Sequence, residues 1–378
     1  MKIKKMFILI IMALVFTSCE SGFDEMMDEA QTGIKFYRHY AYVVNYDSNT
    51  VSAYSVSTDG FLTWISDNAT GTKPRFVKGT PNGKYLYVSN YISNTISVYF
   101  INADGSLTAV GSPVAAGSYP GWMTINAAGT YLYVATSDGS GNGRVAAFSI
   151  NSSGALTPLP SSPYSIKSPT ALTVDPSGKY LLITGFPDGT NYGYAAYPIN
   201  STTGELNTTY TSYRNTPGQN GNSIIMDNYG HVYVGIILGW ISACSIDSSG
   251  ILTLIGSYVP TPELGGTNSL AVDPNNKYLF AASISGDSAG TFPDGAVSVF
   301  KINSSTGVLT EVDNYLGAGC TQPSSLAVDS KGSYLYVTNR ASNNITIFKI
   351  NDDDTLTQMD NVTAGTSPNS IALIKREQ

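Results

Sequence analysis

Charge is what this chain has least of. Asp, Glu, Lys and Arg make up 12% of its 378 residues, about half the usual share of a soluble protein. The net charge is −7, so there is no basic footprint for nucleic acid and no general grip on an anionic lipid surface. Histidine is nearly missing, with only His39 and His231. The three cysteines, Cys19, Cys244 and Cys320, lie far apart. No Cys or His cluster has metal-ligand spacing, so neither a metal nor another cofactor is expected. Helical periodicity is absent too, which excludes bundles and helix-containing solenoids.

One long apolar run exists, MFILIIMALVF at 6–16. It is short of the roughly 20 residues that cross a bilayer as a helix. It follows MKIKK and ends in FTSC at 16–19, and so resembles a bacterial lipoprotein signal: a cleaved peptide over 1–18 and an acylated Cys19 as mature N-terminus. Cleavage removes Lys2, Lys4 and Lys5 and takes the net charge from −7 to −10. Residues 19–36 lack strand alternation and read as an acidic tether. The expectation is a lipid-anchored protein of the bacterial cell envelope that touches the membrane only through its acyl chains.

Glycine, serine, threonine, asparagine and tyrosine are abundant, and they recur in order. YLYVTN at 334–339 returns as YAYVVN (40–45), YLYVSN (85–90) and YLYVAT (131–136), and more loosely as YLLITG (180–185), HVYVGI (231–236) and YLFAAS (278–283). An apolar segment precedes every copy but the first, as in NSLAVD (268–273) and SSLAVD (324–329). An alternating segment such as NNITIFKIN (343–351) follows, then a turn and a short "LT" strand. Four short strands per repeat of 40–50 residues are the pattern of a propeller blade. A seventh leading segment, NSIALI at 369–374, has no partner after it, whereas YAYVVN has none before it. The expected fold is therefore all-β: a seven-bladed β-propeller of four-stranded blades over 37–378, closed by strands from both ends of the chain. DPSG at 175–178 and its relatives read as type I turns capped by aspartate rather than as calcium ligands.

A D-x-x-G turn followed by YLYVTN, repeated around a ring, resembles the YVTN-repeat and lactonase-like seven-bladed propellers. That group is similar to 6-phosphogluconolactonases and to carboxymuconate cycloisomerases of the propeller type. The resemblance implies the fold and, for the activity, a Pro-Arg-His motif at the head of an inner strand with acidic partners. Here the heads read Pro74-Arg75-Phe76, Pro120-Gly121-Trp122, Pro169-Thr170-Ala171, Gly221-Asn222-Ser223, Thr267-Asn268-Ser269, Pro323-Ser324-Ser325 and Pro368-Asn369-Ser370. Arg75 alone matches, with Phe76 in place of histidine.

The loops after the YLYVTN-type segments vary most and should share one rim with these heads. That rim collects aromatics, Tyr46, Tyr91, Tyr119, Trp122, Phe186, Tyr192, Trp240 and Phe292, suited to stacking on sugars or anchoring a protein. For lactone hydrolysis the positions available are Arg75 and Arg340 for the oxyanion and Glu263 as base. Two functions stay open: a monomeric module binding a glycan, small molecule or envelope protein, or an exported lactonase with diverged catalytic residues.

Overall fold

The structure, a computed structural model, describes residues 36–139, 142–216, 220–261, 266–284, 295–316 and 320–377. These form seven antiparallel sheets. Numbering the blades from the chain's start, the innermost strands are Pro368–Glu377 (blade 1), Pro74–Gly79, Met123–Ile125, Leu172–Val174, Gly221–Met226, Thr267–Val272 and Pro323–Val328 (blade 7). Each inner strand contacts the inner strands of both neighbouring blades, so the ring is closed. Blade 1 joins the two ends of the chain: Tyr37–Asn45 pairs with Pro368–Glu377, from Tyr37 opposite Glu377 to Asn45 opposite Pro368. In blades 2, 3 and 5 the outermost strand is broken into two short pieces, such as Leu107–Ala109 and Val114–Ala115.

The repeated segment is the second strand of every blade, and it is buried nearly throughout, as at Tyr85–Asn90. Blades stack face to face, so both faces of this strand must be apolar. The core is accordingly divided into layers between blades; Tyr40, Val44, Val77, Val88 and Tyr99, for instance, belong to one such layer.

The tyrosine hydroxyls weld one blade to the next. Tyr42 donates to the carbonyl of Gly105 at 2.9 Å, Tyr87 to Gly154 at 2.8 Å, Tyr133 to Gly204 at 2.7 Å, Tyr233 to Gly307 at 3.2 Å and Tyr336 to Gly60 at 2.8 Å. Each acceptor lies in the hairpin before the outermost strand of the following blade. All five glycines have positive φ, from 71° at Gly307 to 85° at Gly105, and the tyrosine at the start of the repeat lies over several of them, Tyr40 over Gly105 and Tyr85 over Gly154. His231 takes this tyrosine's place in blade 5. Its ring lies over Gly307, and its Nδ1 is 2.6 Å from a carboxylate oxygen of buried Asp227. His231 is thus part of a blade joint.

The turn aspartates cap backbone as expected. Asp175 accepts from the amides of Ser177 and Tyr180, and Asp273 from Asn275 and Tyr278. Among the described residues no group of three or more His, Cys, Asp or Glu could hold a metal ion, and no helix is long and apolar enough to cross a membrane. Cys244 and Cys320 are both buried and unbridged; burial pushes the Cys244 thiol up to about 11.

Candidate functional site

Three local features aim side chains into the channel mouth. The first is a bulge at the head of the inner strand. Register shifts between Pro74 and Phe76, Gly221 and Ser223, Thr267 and Ser269, and Pro323 and Ser325 leave Arg75, Asn222, Asn268 and Ser324 as the extra residues. Asn369, between Pro368 and Ser370, is the blade 1 counterpart. A bulged residue is re-aimed out of the pleat, and all five line a cavity of about 700 Å³.

The second is the residue immediately after each repeated strand. Tyr46, Tyr91, Phe186, Ile237, Ile284 and Arg340 line the same cavity, and Ser137, which ends the blade 3 strand, joins them.

The third is a strained residue before a proline. Lys73, Tyr119, Ser168, Gln322 and Ser367 all have φ between 44° and 57°, and each precedes a proline. Non-glycine residues held there cost on the order of 1–3 kcal/mol each and persist only where surroundings enforce them. Asparagine side chains do so: Asn49 Oδ1 accepts from the Lys73 amide at 2.7 Å, Asn94 from Tyr119 at 2.8 Å and Asn343 from Ser367 at 2.7 Å. The final asparagine of the repeat anchors the same hairpins. Asn45 donates to Ser52 Oγ at 2.8 Å, Asn90 to Ser97 Oγ at 2.9 Å and Asn339 to Thr346 Oγ1 at 2.8 Å. These hairpins belong to three consecutive blades, 7, 1 and 2, and form one rigid side of the mouth.

Cations and tyrosines meet on that side. The Arg75 guanidinium lies 4.8 Å from the Tyr91 ring centroid, and that ring is 4.9 Å from the ring of Tyr119. Arg340 lies 5.2 Å from the Tyr46 centroid, and Lys73 lies 5.0 Å from the same ring. Among the described residues neither arginine forms an ion pair, and they are the only charged side chains described in the lining. Asp47, next to Tyr46, is already engaged: Lys73 Nζ is 2.5 Å away and Ser367 Oγ donates to its other oxygen. The Lys73 contact first, then Ser367, holds this carboxyl below the usual range, making it a weak base near neutral pH.

Opposite this wall, Phe186 and Tyr192 stack with centroids 4.3 Å apart, on a loop whose Asp188 carboxyl accepts from the amides of Asn191 and Thr190 and is pulled down to about 2. Trp122 is half-buried against Phe76, centroids 4.5 Å apart. The polar heads are tied to each other around the ring. Asn369 donates to the Arg75 carbonyl at 2.7 Å, Ser324 to Pro368 at 2.7 Å and Thr170 to Gly221 at 2.6 Å.

The structure thus brings Arg75, Arg340, Tyr46, Tyr91, Tyr119, Trp122, Phe186 and Tyr192 to one cavity. Trp240 opens the third strand of blade 5, opposite Pro260 of the outer strand, and is exposed outside this cavity. Glu263, Phe292 and Cys19 lie outside the described residues, as do residues 1–35 of the signal and tether. His39 and His231 stand at the opposite end of their strands from the mouth-lining Tyr46 and Ile237. The bulge residues Asn222, Asn268 and Asn369 and the prolyl strain were not singled out as site features from sequence. The only available signal was the recurrence of Pro-x-Ser or Asn-Ser at the strand heads.

The family model described as "Lactonase, 7-bladed beta-propeller" matches residues 15–118, 100–223 and 293–378. Comparison with curated proteins gives no match. Among solved structures, a candidate 6-phosphogluconolactonase from Bacteroides fragilis superposes with a TM-score of 0.75 at 22% identity, covering 89% of this chain and 98% of its own. A periplasmic gluconolactonase of Pseudomonas aeruginosa superposes with a TM-score of 0.77 at 16% identity, covering 90% and 99%. At these identities the likeness carries the fold.

Proposed function

This chain belongs to the lactonase family of seven-bladed β-propellers, and from that premise we propose that it is an envelope lipoprotein whose channel mouth binds an anionic sugar-sized molecule. One observation carries the reading: Arg75 and Arg340, each over a tyrosine ring and neither ion-paired among the described residues, are the only charges described in a mouth otherwise lined by neutral polar and apolar groups. A guanidinium pre-oriented on an aromatic face offers paired donors to a carboxylate or phosphate. Nearby tyrosine faces suit a sugar ring, and the cavity of about 700 Å³ falls in the range of small-molecule sites. Hydrolysis would need a base as well, and Glu263, the candidate for it, lies outside the described residues; the two arginines and the tyrosines of the described lining support binding.

Calorimetry with gluconate, glucuronate and 6-phosphogluconate against glucose tests the reading. The acids should bind, the neutral sugar should bind at least about tenfold more weakly, and Arg75→Ala or Arg340→Ala should each cost about tenfold, as loss of a charge-assisted hydrogen bond does. Equal affinity for acid and neutral sugars would overturn it. The name of the Pseudomonas aeruginosa relative favours a second reading, lactone hydrolysis. Base uptake above background with gluconolactones, lost in Arg75→Ala, would place that reading first.

The anchor is tested separately. Labelled fatty acid should be incorporated into the full-length chain and lost completely in Cys19→Ala; unchanged labelling would remove the lipoprotein assignment.

A further inference from the structure

On the rim opposite the mouth the sign of the charge reverses locally. There the strand Tyr37–Asn45 begins and Pro368–Glu377 ends, with Tyr37 opposite Glu377. Between them and the Pro81–Lys84 turn of blade 2 runs a groove of about 780 Å³, lined by Lys84, Lys375, Arg376 and Tyr37, with Glu377 as its one acid. Lys375 Nζ lies 3.8 Å from the Tyr37 ring centroid, and Arg376 Nε donates to the Ile101 carbonyl at 2.8 Å. Lys84 and Lys375 are exposed, and neither has a carboxylate partner among the described residues. A patch of three cations stands out in a protein of net charge −7.

We propose that this groove binds the acidic segment of the same chain, ESGFDEMMDE at 20–29. Charge complementarity is the first argument. The segment carries Glu20, Asp24, Glu25, Asp28 and Glu29 and no cation. Reach is the second. Seven residues, 30–36, lie between Glu29 and Tyr37, eight steps that span up to about 26 Å when extended, and Tyr37 itself lines the groove. Covalent attachment then supplies the segment at an effective concentration in the millimolar range, which adds to surface ion pairs that are each weak alone. The segment also carries Phe23, Met26 and Met27, and Phe36, next in sequence to Tyr37 of the groove, is exposed. The docking is independent of what the mouth binds. Its consequence rests on the lipid anchor at Cys19: the rim opposite the mouth is held toward the membrane, and the mouth faces away from it.

The test is chymotryptic cleavage after Phe23, Met26 and Met27 in the full mature chain in detergent, followed by mass spectrometry. At low ionic strength cleavage should be about tenfold slower than at about 0.5 M salt, where surface pairs are screened. Lys84→Glu with Lys375→Glu should remove the protection, and so should Asp24, Glu25, Asp28 and Glu29 all changed to Lys. Combining the two sets should restore it. Cleavage insensitive to salt, protection that survives in Lys84→Glu/Lys375→Glu, or a combined variant with no rescue would each overturn the proposal. An unchanged melting temperature in the Lys84→Glu/Lys375→Glu variant keeps unfolding from imitating the result.

Discussion

Removing residues 368–378 should leave a chain without a cooperative folding transition. Pro368–Glu377 is the inner strand of blade 1, paired along the whole of Tyr37–Asn45 and packed against the inner strands of blades 2 and 7. Its loss strips Ile371 and Ile374 from the core, each contributing about 1.5–3 kcal/mol by burial. It also exposes the buried edge of Tyr37–Asn45 and opens the ring between two blades. Together these approach the whole stability of about 5–15 kcal/mol typical of a domain, and the freed edge invites pairing with other chains. Calorimetry and size-exclusion chromatography should show a flat trace and an aggregate or oligomer. Fusing 368–377 ahead of Phe36 in a permuted chain should recover folding. A truncated monomer melting within a few degrees of the parent would mean that blade 1 is not closed by this strand.

Gly105→Val should be the most damaging single substitution at a blade joint. Gly105 has a φ of 85°, which a β-branched residue does not adopt without strain. A Cβ there would stand 2.2 Å from the Tyr40 ring and 2.9 Å from Ile65 Cδ1, and its carbonyl accepts the Tyr42 hydroxyl. Backbone strain and overpacking add, for an expected loss of about 4 kcal/mol or more in urea denaturation. Gly111→Val isolates the two terms. Its φ is 65°, but nothing lies within 4 Å of its Cβ position, so strain alone should cost about 1–2 kcal/mol. If the two variants unfold at the same urea concentration, the tyrosine–glycine joint contributes nothing beyond ordinary turn geometry.

These two sites show what the repeat means physically. Each YLYVTN-type strand is a buried plank; in blades 1, 2, 3, 5 and 7 its tyrosine reaches the next blade's glycine turn at one end, and in blades 1, 2 and 7 its last asparagine ties the hairpin at the other. The residue just past it faces the channel. The substitutions around the ring follow the same logic. Where blade 6 has Phe280 in place of the welding tyrosine, the adjacent joint is made instead by Asp354, whose carboxylate is 3.0 Å from Lys277 Nζ and 2.6 Å from Lys301 Nζ and accepts from Tyr278. Those hydrogen bonds, Lys301's first, hold it well below the ordinary carboxylate range.

Much of this was legible in the order of the residues. Period, strand alternation and turn chemistry are local properties, and a motif repeated seven times averages out their noise; strand number, blade count and closure by the two ends follow from them. The aspartate-capped turns and the gathering of the strand heads and the residues after the repeated strands on one side of the ring were readable for the same reason. The mouth itself was not. That Arg340 lies over Tyr46 and that Asp47 is taken by Lys73 depend on contacts between loops of different repeats, and the place of Arg75 over Tyr91 depends on the bulged register of two strands in blade 2. The strained residues before Pro74, Pro120, Pro169, Pro323 and Pro368 run against local preference. Before Pro74, Pro120 and Pro368 that geometry is held by Asn49, Asn94 and Asn343 of the neighbouring hairpin. Sequence alone therefore determined the ring and its repeat, because each strand's pattern is set by its own alternation and turns. Tertiary structure decided what the mouth presents, because the groups there are brought together from several blades and set by contacts between their loops, as where Arg340 of blade 7 lies over Tyr46 of blade 1.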